Sequence, residues 1–450
     1  MLQFQAQTCG KSLDACQNPV MTHGFSIATG LCLLAMLSGC SRQAPAPATT
    51  HPATATAPTP WLGEPVILAS PAAAGARFPH LAATADGAIT VMSWLEPVSD
   101  AGEFRLRYAR WGDAGWDVPV DVASGKDWFI NWADFPSVVP ANKGAWTAHW
   151  LQQKPGGVYS YDVLVRLSND GGRTWSAPRA PHDDGTATEH GFVSIAEVNG
   201  QPYAVWLDGR ATAVAGHDHG DGDKHAAHGG GAGAMTVRGA VLQATGATAG
   251  VEIDGRVCDC CQTDVAVTDD ALVLVYRDRS DDETRDIHTS RLVNGAWSAP
   301  VAVHADGWRI DACPVNGPAV AARGNTVVVA WFTAPDRARV RLAWSVDGGR
   351  SFGAPIEVTS GKVVGRVDVV LLEEAQAVVS WLDDGAQGAV IRAQPFTATG
   401  PAAPAVDIAR SNIARSSGFP QMLLVPGGLL FAWTATGDTP AVVTARAPLP

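Results

Sequence analysis

A chain of 450 residues with 46% hydrophobic and 17% charged side chains has the apolar content of a large core, which excludes wholesale disorder. Its net charge of -12, from 32 Lys and Arg against 44 Asp and Glu with no basic block, excludes sequence-independent binding of nucleic acid. The 47 Gly and 30 Pro argue for short segments over long helices, and all 16 Trp fall at or after Trp61, dividing a Trp-free leader from a Trp-rich body.

Residues 25–40 read FSIATGLCLLAMLSGC, an apolar run ending in small residues. It is shorter than the roughly 20 residues of a membrane span and has the form of a secretory h-region. Its end, Leu37-Ser38-Gly39-Cys40, resembles the lipobox of bacterial lipoproteins. That resemblance implies lipidation of Cys40 as the first mature residue. With Ser41 next to it, the resemblance further implies the outer membrane of a Gram-negative cell. Met21 opens a signal of compact length, so translation is expected to begin there. Residues 41–60 are rich in Pro, Ala and Thr and form an extended tether. The expected organisation is a signal peptide over 1–40, a linker over 41–60 and a single body over 61–450.

The body repeats one phrase: a Pro or small residue, an apolar strand, a turn, then a second strand ending in an aromatic residue. It reads FPHLAATADGAITVMSW at 78–94, FPSVVPANKGAWTAHW at 135–150, FVSIAEVNGQPYAVW at 192–206 and DVAVTDDALVLVY at 264–276. Three more copies are PVNGPAVAARGNTVVVAW at 314–331, VDVVLLEEAQAVVSW at 367–381 and FPQMLLVPGGLLFAW at 419–433. A second phrase, W-x-x-P followed by apolar residues, starts at Trp116, Trp175 and Trp297, with Phe352 in the Trp position of a further copy. Four short strands per unit, at roughly 50–57 residues, predict an all-β propeller of four-stranded antiparallel blades. Seven blades follow from the repeat count. The last unit lacks a fourth strand, and residues 61–68, WLGEPVIL, supply one, so the N-terminal strand is expected to close the ring.

Two turns, SNDGGRTW at 168–175 and SVDGGRSF at 345–352, match the Asp-box pattern S-x-D-x-G-x-[ST]-[WF]. In such a turn Ser and Asp bond turn backbone and Gly takes the unusual dihedrals. With these boxes, residues 61–450 resemble the sialidase (BNR-repeat) superfamily. True sialidases have six blades, which is the alternative count. The segment Arg77-Phe78-Pro79 resembles the sialidase F-R-I-P motif, with Phe in place of Ile, and that motif's Arg belongs to a triad gripping a carboxylate. The resemblance implies an exo-α-sialidase-like glycoside hydrolase, or a protein that binds anionic sugars, requiring no cofactor.

Topology assigns the Asp boxes, between third and fourth strands, to one face of the ring. The opposite face is a mouth formed by the loops after each second strand and the residues entering each first strand. Arg77, Asp134, His190, Cys261, Cys313, Arg366 and Ser417 enter there. The run from Tyr276 to Asp286 adds Arg277, Arg279 and Arg285 with Asp278 and Glu283 among five acids. Guanidinium groups in a concave mouth suit a carboxylate, sulfate or phosphate. A sialidase-like triad would be Arg77 and Arg366 with one of Arg277, Arg279 or Arg285. Asp278 and Glu283 are the acid/base candidates, and Trp132 beside Asp134 is placed to stack on a sugar ring. The bland alternative is a solvated rim of mutually paired charges.

Beyond the leader, four cysteines remain: Cys258, Cys260, Cys261 and Cys313. In an oxidising compartment they are expected to form disulfides, a bridge from the cluster to Cys313 being reasonable between equivalent positions of adjacent blades. The alternative is a thiolate metal site for copper(I) or zinc. An insertion in blade three, GHDHGDGDKHAAHGGGAGA, carries His217, His219, His225 and His228, which suit zinc or copper. Three functions therefore stay open: a glycan-active propeller, an extracytoplasmic metal-binding protein, and an interaction scaffold. A monomer anchored by lipid is expected in each.

Overall fold

The computed structural model describes residues 60–99, 102–213, 233–243, 250–373, 375–385 and 388–450. Cys40 and the tract with His217, His219, His225 and His228 lie outside the described residues. Residues 59–450 form one compact unit. Its regular structure is β, with two 3₁₀ turns, Arg210–Thr212 and Arg415–Ser417.

Seven antiparallel sheets make seven blades. Their innermost strands are Arg77–Ala83, Ser137–Val139, His190–Val198, Asp264–Val267, Ala319–Arg323, Val363–Glu373 and Gln421–Val425. Each innermost strand touches the next blade in turn, and Arg77–Ala83 meets blade seven, so the ring is closed. In blade two the fourth strand is reduced to an isolated bridge between Val165 and Arg179. Blade seven takes its outer strand from the other end of the chain: Val66–Leu68 pairs with Ala441–Pro448, Val66 opposite Arg446 and Leu68 opposite Thr444. This covers a strand edge that would otherwise invite pairing with another chain.

Each second strand runs on past its repeated aromatic residue, which is buried: Trp94, Trp150, Trp206, Tyr276, Trp331, Trp381 and Trp433. Four of these rings anchor their polar atom on an acid. Trp94 Nε1 donates to Glu96 (2.7 Å), Trp206 to Asp208 (2.8 Å), Trp331 to Asp306 (2.7 Å), and the Tyr276 hydroxyl to Asp254 (2.6 Å). Two acids of the mouth loops, Glu96 and Asp208, thus satisfy a buried indole.

A second device joins the blades. A side-chain oxygen of one blade accepts the backbone N–H of the next blade's innermost strand. Asp134 accepts from Phe192 (2.7 Å), Asp264 from Val320 (2.8 Å), and Asp368 from Met422 (2.7 Å). Ser93 accepts from Val138 (3.0 Å), Asn316 from Arg366 (2.8 Å), and Thr434 from Phe78 (2.9 Å), so the last joint closes the circle. Burial pushes the carboxyls of Asp134, Asp264 and Asp368 up to about 7.

The Asp boxes are structural, as the sequence implies. Ser168 donates to Asp170 (2.8 Å) and accepts from the Gly172 N–H (2.8 Å), while Thr174 returns its N–H to Asp170 (2.9 Å). Gly172 sits at φ +81, and a Cβ there would lie 2.5 Å from the Tyr108 hydroxyl, so only glycine fits.

Candidate functional site

Blades one, three and six enter the mouth through a β-bulge. Phe78, Phe192 and Arg366 take positive φ values of 55, 51 and 51 there, and each strand's register shifts at that point. A non-glycine residue in this region is uncommon and re-aims its side chain. In blade six the bulge lays Arg366 over the Trp132 ring (4.9 Å) and the Phe419 ring (5.8 Å). Its Nη1 donates to the Ser417 hydroxyl (2.6 Å) and the Gly418 carbonyl (2.8 Å), and Nη2 to the Ile413 and Ala414 carbonyls (3.1 Å each). Burial lowers its pKa to about 10. Trp132 meanwhile stacks on Phe419, with centroids 5.7 Å apart.

Arg277 is committed in the same way. It is 2% exposed, and its Nε and Nη2 donate to the Asn316 carbonyl (3.2 and 2.8 Å). Nη2 also reaches the Phe332 carbonyl (2.7 Å) and Nη1 the Arg285 carbonyl (2.6 Å). Arg77 is half-buried, with one long bond from Nε to the Gly75 carbonyl (3.4 Å), and lies over Phe104 (5.6 Å). Of the expected triad, Arg366 and Arg277 are therefore held by the protein's own carbonyls, and Arg77 is the more open member. Asp134, expected at a ligand, accepts from Phe192 N–H and the Tyr161 hydroxyl (3.2 Å) and serves the joint of blades two and three.

The run from Arg277 to Asp286 folds toward the cysteines. Arg279 bonds Asp259 (3.0 Å) and Glu283 (2.7 Å); Arg285 bonds Glu283 (2.7 Å) and the Cys258 sulfur (3.3 Å). The bond from Arg279, joined by that from Arg285 and opposed by burial, holds Glu283 below the ordinary carboxylate range. An ionised Glu283 does not fit a general acid. Asp278 is the opposite case: burial raises it, while His288, 3.5 Å away, partly offsets the rise.

The segment 258–262 links the outer strand of blade three to the inner strand of blade four. The Cys258 N–H donates to the Arg277 carbonyl (2.9 Å). Gln262 holds the segment in place, donating to the Ala133 carbonyl (2.7 Å) and accepting from the Gly317 N–H (3.0 Å). A Cβ at Gly317 would meet the Gln262 carbonyl at 2.2 Å, so this contact requires glycine.

Three thiols converge here, and neither they nor Cys313 are in a disulfide. The Cys258 sulfur lies 3.0 Å from that of Cys261 and 3.8 Å from that of Cys260, and all three sulfurs fall within 4.8 Å of one another. Cys313, from the entrance of blade five, stands outside this group of three and acts electrostatically on Cys260. The expected disulfides are not at bonding distance: the shortest spacing, Cys258 to Cys261, is about 1 Å beyond an S–S bond. Burial pushes the Cys258 thiol up to about 11. Cys261 goes the other way. Burial opposes its ionisation, but hydrogen bonds from Cys258 and Cys260, the Arg277 guanidinium and the Asn316 N–H hold it well below an ordinary thiol. Cys313 is also lowered, chiefly by its interaction with Cys260.

Other residues of this face gave no separate signal in the sequence. Glu189 is pushed up to about 8 by burial and then by Asp259, Asp134 and Cys313. His182, Asp162 and Asp184 gather around His190. The only local hint is the run PHDDGTATEH at 181–190, whose spacing matches no standard motif.

Seven antiparallel blades, two of them carrying Asp-box turns, define a seven-bladed β-propeller. No family model and no curated relative matches the chain. Solved structures resemble it. A protein of unknown function from Dyadobacter fermentans is 15% identical, covering 87% of this chain and 100% of that one with a TM-score of 0.49. The NanB sialidase of Streptococcus pneumoniae, as its K499G mutant, is 9% identical over 80% of this chain and 83% of its own (TM-score 0.45). The Hadza microbial sialidase Hz136 is 13% identical over 68% and 63% (TM-score 0.39).

Proposed function

We propose that this protein is a propeller that binds a soft metal ion, copper(I) or zinc, through Cys258, Cys260, Cys261 and Cys313. One observation carries the reading: the sulfurs of Cys258, Cys260 and Cys261 lie within 4.8 Å of one another without bridging, with Cys313 of the next blade entrance acting on Cys260. Metal–sulfur bonds of about 2.3 Å put tetrahedral ligands about 3.8 Å apart. The Cys258–Cys260 spacing of 3.8 Å has that value, and the 3.0 Å pair needs to open by under 1 Å. Thiolate is the ligating form, and the neighbouring Arg277 and Arg285 favour it. A bound metal would also protect such thiols in an oxidising compartment.

The experiment is anaerobic competition for copper(I) against a chromophoric chelator, with metal analysis of untagged protein. One tightly held ion, lost in Cys261→Ser, is expected. A metal-free protein that leaves the chelator fully loaded would sink the proposal. Lipid anchoring at Cys40 in an outer membrane belongs to the same reading and is supported by the lipobox resemblance. Cys40→Ser should release the protein into the soluble fraction.

A second reading, an anionic-sugar protein, is favoured by Arg77 and by the raised carboxyl of Asp278. In it Arg77 grips the acid group and Asp278 supplies a proton. Turnover of a fluorogenic sialoside, abolished in Arg77→Ala, would support it; an inert protein across a glycoside panel would dispose of it.

A further inference from the structure

The four thiols near the entrances of blades four and five differ in exposure. Cys258 and Cys261 are each 1% exposed, Cys260 is half-buried, and Cys313 is exposed. The sulfurs of the first three lie within 4.8 Å of one another; Cys313 stands outside that group and acts on Cys260, its most accessible member. The segments that carry them run side by side, since Gln262 accepts the Gly317 N–H (3.0 Å) and its carbonyl packs against the bare Cα of Gly317. The order from solvent inward is therefore Cys313, Cys260, then the buried pair.

The segment carrying Cys313 is tied at its two ends. Upstream, the Trp308 carbonyl accepts the Arg285 N–H (2.8 Å), and the Ile310 N–H donates to the Glu283 carbonyl (3.1 Å). Downstream, Asn316 accepts the Arg366 N–H (2.8 Å) and Gly317 donates to Gln262. Between these ties, Asp311, Ala312, Cys313 and Val315 donate no backbone hydrogen bond to a carbonyl of the described residues. Val315, at φ 46, holds a β-branched residue in the left-handed region directly before the downstream tie. An exposed span held only at its ends can change its backbone without breaking a blade, and so can carry a thiol between the surface and Cys260.

The converging set has three sulfurs. Three ligands at metal–sulfur bonds of about 2.3 Å stand about 4 Å apart around one ion. The spacings of 3.0 and 3.8 Å approach that value. Zinc in a closed thiolate site takes four ligands, whereas a set of three soft thiolates suits copper(I). We propose that Cys313 is an entry thiol: it takes copper(I) from a thiol-bound donor and passes it to Cys260, so that Cys258, Cys260 and Cys261 become the resting ligands. This rests on the soft-metal reading above and gives its four thiols different tasks. No electron moves. In each exchange one copper–sulfur bond forms and one breaks; the entering thiol loses a proton to solvent and the departing thiolate takes one up. Cys258 and Cys261 complete the resting set, each losing one proton.

The test uses the full chain with Cys9, Cys16, Cys32 and Cys40 of the leader and the four tract histidines changed to Ser, so that neither competes. This parent is loaded without oxygen from copper(I)–glutathione. Iodoacetamide followed by peptide mass spectrometry should then label Cys313 and spare Cys258, Cys260 and Cys261. Chelator competition should place Cys313→Ser within about 3-fold of the parent affinity, against the large loss in Cys261→Ser. Stopped-flow uptake, followed by thiolate-to-copper absorption in the ultraviolet, should be at least about 10-fold slower in Cys313→Ser. Tryptophan fluorescence reports folding, and if Cys313→Ser folds poorly, Cys313→Ala must show the delay. A Cys313 protected by copper, an affinity loss equal to that of Cys261→Ser, or uptake at the parent rate overturns the entry role and leaves the soft-metal reading standing. A parent that takes up no copper ends both.

Discussion

Two sectors of the mouth use the same residue type to opposite ends. Around Trp132, Arg366 is sandwiched by aromatic rings and fills its donors with backbone carbonyls and a serine hydroxyl. Around the cysteines, Arg279 and Arg285 share Asp259 and Glu283, and Arg285 reaches a sulfur. The first sector has a cation without a carboxylate, and its role is to hold the ends of two blades. The second has cations beside ionisable thiols, where their field changes chemistry. An arginine at a concave mouth is therefore not by itself a ligand-binding arginine; what its donors already hold decides.

The largest expected effect tests the second sector. Cys261→Ser should weaken copper(I) binding by at least about 100-fold, measured by chelator competition, because it removes the sulfur most disposed to ionise. Equal affinity in wild type and variant would remove the distinction between the sectors. Next comes Arg366→Met, which strands buried carbonyls and the Ser417 hydroxyl. It should cost about 3 kcal/mol in urea unfolding and leave copper binding unchanged. If instead stability holds and binding of an anionic ligand disappears, Arg366 is a ligand residue.

The blade joints give a pH dependence of definite sign. Asp264 and Asp368 have carboxyls raised to about 7 in the folded ring, against an ordinary value of 3.8 in the unfolded chain. The folded state therefore holds more protons between these values. The stability this contributes is full below about 4 and is lost as pH rises through about 7. Asp368→Asn keeps an acceptor for Met422 without the charge, so it should flatten the fall between pH 5 and pH 8 in denaturant titrations. An unchanged slope would mean that these acids are ionised in the fold. The smallest effect is expected at Asp347, whose turn bonds lie at the surface and whose carboxyl sits at about 2. Asp347→Ala should cost under about 1 kcal/mol and leave copper binding unaffected.

The ring is legible in the sequence because its cause is repetitive. Each unit carries the same turn, the same apolar alternation and the same terminal aromatic, so Trp94, Trp206 and Trp331 announced their own burial. The closing strand was legible for the same reason, through the incomplete last unit and the matching phrase at Trp61. The partners of Asp134 and Arg366, Phe192 N–H and the Ser417–Gly418 turn, were not legible because they come from other blades. No local pattern encodes such partners. His182 and Asp162 stand 20 residues apart in sequence and meet only when blade three folds against blade two.

The sequence by itself determined seven β-blades, the Asp-box turns, and the presence of four thiols near adjacent blade entrances, since all of these follow from short-range periodicity and turn chemistry. Tertiary structure decided which donors remain free. Hydrogen bonds saturate and charges respond to burial, so whether a given Arg, Asp or Cys is available depends on neighbours brought from distant blades.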